Sequence, residues 1–207
     1  MKADLVLRID EGHRYWKGEA QLPGASRILE SVGLIQQNPF WTDEAREKGT
    51  QLHSECFQIN TGIFNFDNAD SDTYFEAVSY AEWKAITGFK VLLAETMLDS
   101  DLHRFAGTFD LFGTFPDESY AMIDLKRGST MSAEKYKLAM YVILLCEHSE
   151  RLFGKKLFPF QVQRFALDRI GKEKPHLRSY KDKTDYGVAI ASVVCFWAMV
   201  RDGIQKL

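Results

Sequence analysis

Two carboxylates stand where carboxylates are uncommon. Asp110 sits inside the apolar run Gly107-Thr-Phe-Asp-Leu-Phe-Gly113, and Asp124 sits in Ala121-Met-Ile-Asp-Leu-Lys126-Arg127-Gly128. Aspartate is depleted in strands and is almost never fully buried without a partner. Two such groups on neighbouring strands repel, so one must take up a proton unless a cation lies between them. A hard divalent ion is the natural compensator, because Mg²⁺ takes oxygen ligands and keeps several waters. Lys126 follows Asp124 by two residues, so both project to the same strand face. An ammonium there can hold or help deprotonate an attacking water, and it can stabilise charge on a pentavalent phosphorus.

The elements that must position these groups can be read from pattern. Phe89 to Met97, Leu102 to Phe115 and Ser119 to Leu125 are rich in Phe, Leu, Val and Ile, with turn residues between them. They predict three consecutive strands in a meander. Placing Asp110 and Asp124 on one face requires a three-residue loop, 116–118, between the second and third strands. A four-residue loop, 116–119, shifts the register by one and separates them, unless a bulge intervenes, with Gly113 its expected site. Before the meander, Leu5 to Ile9 and Tyr15-Trp16 predict a short hairpin, and Ala25 to Val32 a short helix ended by Gly33. Trp41 to Ile59 predicts a longer helix with Thr42 as N-cap, and Asp72 to Thr87 another, started by Asp70-Ser71-Asp72. After the meander, a helix is expected over Ala133 to His148, strands over Phe158 to Ala166 and Leu177 to Tyr180, and a last helix over Thr184 to Gln205. The class is mixed α/β.

Composition excludes several alternatives. At 207 residues, 45% hydrophobic and 27% charged, the chain has ordinary globular values, which rules out a mostly disordered or fibrous protein. The formal charge is -3, so any nucleic-acid contact must come from a local patch. Such a patch exists: Arg151 to Lys183 holds ten basic and three acidic residues, a local +7. Cys56, Cys146 and Cys195 are far apart and cannot build a four-thiolate cluster. Buried reduced thiols in a cytoplasmic protein are expected. The opening MKADLVLRIDEGH has no long apolar run, which argues against a signal peptide. Val188 to Val200 is the longest apolar stretch. It falls short of a bilayer span and reads as a buried helix, so no membrane partner is expected.

GTFDLFG followed at short spacing by IDLKRG resembles the PD-(D/E)xK nuclease superfamily, and within it the RecB-like branch that includes phage recombination and CRISPR-associated exonucleases. Gly49-Thr-Gln-Leu-His53 resembles the G-x-x-x-H element of that branch, which lies on a helix before the sheet and gives the metal an imidazole. Glu95 matches an acidic position frequent in the strand before GTFD. Lys137-Leu-Ala-Met-Tyr141 occupies the place of a Q-x-x-x-Y element, with Lys137 where Gln is usual. His13-Arg-Tyr15 through Leu29 resembles the opening of phage-borne members. The resemblance spans roughly residues 13 to 141.

The resemblance implies a restriction-endonuclease-like α/β core: a mixed β-sheet with a three-strand meander, flanked by helices. It implies one domain over 1–207, with a hairpin and helical part over 1–88 and a nuclease core over 89–207. Asp110 and Asp124 would bind Mg²⁺ or Mn²⁺, with the Leu125 carbonyl and His53 completing the shell. Glu95 would act directly, through water or at a second metal, and Lys126 would position the attacking water. Lys137, Tyr141, Arg127 and the +7 segment are the candidate DNA face. The implied activity is metal-dependent DNA hydrolysis by an exonuclease in phage or prophage recombination or repair. That setting implies a bacterial or phage-infected cytoplasm and leaves room for a recombination partner protein and a homo-oligomer. Two alternatives are a non-catalytic DNA-binding or interaction module on the same fold and a sequence-specific endonuclease.

Overall fold

The computed structural model describes residues 6–10, 12–36, 42–68, 71–128, 131–171 and 174–207. The described residues build two sheets flanked by helices, a mixed α/β architecture. The small sheet is antiparallel and joins β1 (Leu7–Ile9), β2 (Tyr15–Lys17) and β3 (Ala20–Leu22). The hairpin expected there has therefore gained a third strand, and Leu5 lies outside the described residues. Then come α1 (Ala25–Ser31), α2 (Asp43–Thr61) and α3 (Ser71–Thr87). Trp41 and Asp70, expected near two helix starts, also lie outside the described residues. Thr42 caps α2 as predicted: its hydroxyl accepts the Ala45 amide at 3.1 Å, and Gly62 ends the helix in the left-handed region.

The larger sheet has strand order β4-β5-β6-β7-β8. Its strands are β4 (Lys90–Ser100), β5 (Phe105–Thr114), β6 (Tyr120–Leu125), β7 (Val162–Asp168) and β8 (His176–Ser179). Pairs are antiparallel except β6–β7, which is parallel and connected through α4 (Glu134–Phe153). The expected strand start at Phe158 is instead a 3₁₀ turn over Pro159–Gln161, where Pro159 withholds a ladder donor. The last helix, α5 (Thr184–Arg201), is shorter than expected and long and apolar enough to cross a bilayer by length and composition. One face of it, with Ala189, Val193 and Phe196, is buried, whereas Val194 and Cys195 are exposed. Burial of the whole helix and of all three thiols is thus corrected.

Each face of the larger sheet carries its own core. Helices α1, α4 and α5 cover one face around Phe105, Phe109, Phe112, Met122 and Leu145. Leu52 and Cys56 of α2 and Tyr80 and Trp83 of α3 cover the other, over Leu111, Ile123, Leu125 and Leu167. The small sheet is tied on by a Pro23 carbonyl accepting the Ala106 amide at 3.0 Å and by Tyr15 Oη and Thr108 Oγ1 at 3.1 Å.

Register decides the site. β5 and β6 pair Leu111 with Ile123 and Thr114 with Tyr120, which aligns Asp110 with Asp124. The connection is the three-residue loop 116–118: Phe115 donates to the Ser119 carbonyl at 3.1 Å, and Glu118 takes the left-handed conformation such loops require (φ 63°). Gly113 is not the bulge. The irregularity lies in β4 between Val91 and Leu93, and Gly113 yields to it, because a Cβ there would lie 2.0 Å from the Lys90 carbonyl oxygen.

Candidate metal centre

Two local distortions create the site. Pairings Ala94–Leu111 and Thr96–Phe109 place Glu95 directly across from Asp110. Glu95 has φ 43°, a left-handed backbone inside a strand. For a residue with a side chain that costs on the order of 1–3 kcal/mol and points to function. Alternation inverts at the same level. Phe109 and Phe112 pack on the α4 side while Leu111 packs on the α2 side, so the switch in β5 falls at Asp110. The β5–β6 ladder ends at Leu111–Ile123, and Asp110 Oδ2 accepts the Leu125 amide at 2.6 Å in its place. The strands fork where the carboxylates sit.

His53 reaches in from α2. Its Nδ1 lies 3.0 Å from Glu95 Oε1 and 3.5 Å from Asp110 Oδ1. Leu52 and Cys56 anchor this helix in the core, which fixes the register that presents His53. The small residue at Gly49 does not serve a close helix approach, since a Cβ there would meet nothing within 4 Å. His53, Glu95 and Asp110 place one ligand atom each within 4.8 Å of the others and can hold a metal ion.

Asp124 has different company. Its Oδ2 is 2.7 Å from Lys126 Nζ and its Oδ1 is 2.6 Å from Lys137 Nζ. Glu134, buried in the first turn of α4, touches the same two lysines at 3.5 and 3.1 Å. Glu134 has no motif of its own, and the only sequence signal was its spacing of three residues before Lys137 on a helix. Arg127 pairs with buried Glu76 of α3. Tyr141 is buried, its ring filling the space left by Gly107, where a Cβ would lie 2.6 Å from Tyr141 Cε1. Leu125 is seen donating its amide to Asp110.

The electrostatics follow from this arrangement. Burial pushes the Asp110 carboxyl up, and the Asp124 charge adds to that, while His53 and the lysines pull down. The balance leaves it raised to about 6. Burial also pushes Asp124 up, but Lys126 and Lys137 outweigh it and hold this carboxyl below the usual range. For His53, burial disfavours the charged ring. The Asp110 and Glu95 carboxylates overcome that and raise it to about 9. Four carboxylates, Glu95, Asp110, Asp124 and Glu134, thus face two ammoniums. The formal deficit of two positive charges matches a divalent cation, with neutral His53 as nitrogen ligand, so the donor set fits a metal. A 340 Å³ cleft leads to the lysines, lined by Ser26, Arg46, Met131 and Glu134 among others. Arg46, absent from the sequence-based candidates, stands at its rim.

No family model matches the sequence, and no curated protein matches it. Among solved structures the chain is similar to a protein described as a putative exonuclease from Eubacterium rectale. The TM-score is 0.48 at 11% identity, over 86% of this chain and 74% of that one.

Proposed function

We propose that this protein is a metal-dependent DNA nuclease hydrolysing phosphodiester bonds, an exonuclease in phage or prophage recombination or repair. One observation carries the reading: His53, Glu95 and Asp110 converge on a strained strand fork beside Asp124 and Lys126. His53, Glu95 and Asp110 would hold Mg²⁺ or Mn²⁺. When bound, the ion supplies a lowered water pKa and neutralises charge at the phosphoryl group.

The protein's own groups do the rest. The Leu125 amide fixes Asp110 through one oxygen and leaves Oδ1 turned toward His53. Asp124 and Glu134 hold the Lys126 ammonium between them, where it can orient a water or meet a phosphoryl oxygen. Lys137, also paired with both, keeps Asp124 ionised beside Asp110. Arg46, Lys126 and Lys137 bring three cations to the cleft that can meet a phosphodiester backbone, beside the carboxylates of Glu30 and Glu134.

A DNA-binding module without catalysis is the second reading. The observation favouring it is that both Asp124 oxygens already meet ammoniums. Linear and closed circular DNA with Mg²⁺, Mn²⁺ or EDTA separate the readings. Metal-dependent loss of linear DNA alone is expected. Discrete fragments from circles would replace the exonuclease with an endonuclease, and DNA retardation without cleavage would leave the binding module.

A further inference from the structure

A second feature lies at the other end of the sheet. The 3₁₀ turn before β7 carries Phe158 and Phe160, whose rings stack with centroids 5.7 Å apart and an interplanar angle of 10°. Both face solvent: Phe160 is 72% exposed and Phe158 44%. The turn is rigid for its size. Pro159 fixes its first residue, the Gln161 side chain accepts the Phe158 amide at 2.8 Å, and Tyr186 donates to the Pro159 carbonyl at 3.1 Å. Rings are here held in place without being buried.

The surrounding charge is mostly basic: Asp182, between Lys181 and Lys183, is an acid in the stretch, and its carboxylate accepts from the Thr184 amide and hydroxyl. Lys156 Nζ lies 5.6 Å from the Phe158 ring, and Lys155 Nζ lies 5.0 Å over Tyr120. Lys181 and Lys183 border the same shallow cleft as Phe160. Among the described residues none of these four lysines pairs with a carboxylate, whereas Arg164 beneath them is buried and neutralised by Asp185 at 3.0 Å. The turn therefore combines unshielded positive charge with exposed ring faces, in the segment that carries +7 on a chain of net -3.

We propose that Phe158, Phe160 and lysines 155, 156, 181 and 183 form a stacking platform for single-stranded DNA, separate from the metal centre. Bases stack on aromatic rings whatever their identity, and lysines track the phosphates. A duplex hides its base faces, so the rings select unpaired strands. Single-stranded DNA presents phosphates and base faces at every nucleotide, which matches the repeated pairing of lysines with exposed rings. The platform stands where Val162 pairs with Tyr120, and Asp124 lies toward the opposite end of β6. Four strand steps, from Tyr120 to Asp124, span about 13 Å, and the turn lies beyond Val162 at the far end. The platform therefore binds strand outside the reacting bond.

The test uses the whole chain in EDTA with labelled oligothymidylate at low salt, read by fluorescence anisotropy. Phe160→Ala should weaken binding at least about fivefold, since each stacked base contributes on the order of 1 kcal/mol or more. Lys181→Gln with Lys183→Gln should lower the salt slope by about 1.4. Phe75→Ala, which removes an equally exposed ring on α3, should change nothing. Undiminished binding by Phe160→Ala, equal preference for duplex, or a change only in oligomeric state would overturn the platform. No cleavage occurs in EDTA, so the outcome is independent of the nuclease reading. Binding through Phe160 by a protein that never cleaves would sink that reading and leave this one standing.

Discussion

The Lys137 ammonium sits 2.6 Å from Asp124 Oδ1, and Asp124 is all but sealed from solvent. This lysine stands where the resembled nuclease branch carries glutamine. It meets Asp124 and Glu134 together, so it is a counter-ion for the carboxylates before it can be a contact for DNA. Removing it leaves two buried carboxylates sharing Lys126 alone. Lys137→Ala should lower stability by about 3 kcal/mol in denaturant unfolding. Lys137→Met, close in volume but uncharged, should be nearly as costly. A loss under about 0.5 kcal/mol for both would show that Lys137 is not the counter-ion described.

Metal binding should be visible without any substrate. A ligand that binds only the folded protein raises stability by mass action, about 2.7 kcal/mol at a hundredfold excess over Kd. Mn²⁺ should therefore raise the melting temperature of the wild type. Asp110→Asn keeps the acceptor for the Leu125 amide and removes one charge, so it should fold and lose most of that rise. An equal rise in both proteins would place the metal elsewhere.

The metal-free protein should lose stability as pH rises through the upper neutral range. His53 ordinarily titrates near 6.5 and is raised to about 9 by Asp110 and Glu95. A group whose folded pKa is raised contributes stability that is complete below its unfolded value and disappears as pH climbs through the folded one. The loss should fall between about pH 6.5 and 9, measured as the urea midpoint in EDTA. The Asp110 shift acts lower, between 3.8 and about 6, and does not overlap this window. His53→Gln should flatten the profile, and an unchanged slope in that variant would show that other groups cause it.

Gly113 offers a test of the fork's frame. A Cβ there would press on backbone, 2.0 Å from the Lys90 carbonyl oxygen, and backbone cannot swing aside as a side chain can. Gly113→Ala should cost about 1–3 kcal/mol. Gly49→Ala, with open space around it and a helical backbone, should be neutral or stabilising by about 0.5–1 kcal/mol. Equal melting temperatures for the two variants would contradict the packing described.

The meander was legible because each of its strands is a dense apolar run, and its register because turn length and face alternation constrain each other. The three-residue loop that aligns Asp110 with Asp124 follows from that logic. Other features left no trace in residue type. A left-handed Glu95 is imposed by the strands around it, since glutamate has no local preference for that conformation. Glu134 looks like an ordinary first-turn acid, and only the α4–β6 packing puts it against Lys126. The third strand, Ala20–Leu22, is three residues long, too short for a period to show. Phe158 and Phe160 read as strand residues by composition, and the proline between them decided otherwise.

The central claim is that the fork at Asp110 is a hydrolytic metal site. End-labelled linear DNA, incubated with Mg²⁺ and wild type, Asp110→Asn or Lys126→Ala, tests it most directly. Wild type should release labelled product that EDTA abolishes. Asp110→Asn should reduce the rate by at least about a hundredfold with a native melting curve, and Lys126→Ala should do so while still showing the Mn²⁺-induced rise in melting temperature. Cleavage by Asp110→Asn at the wild-type rate, or no metal-dependent cleavage by the folded wild type, would contradict the account.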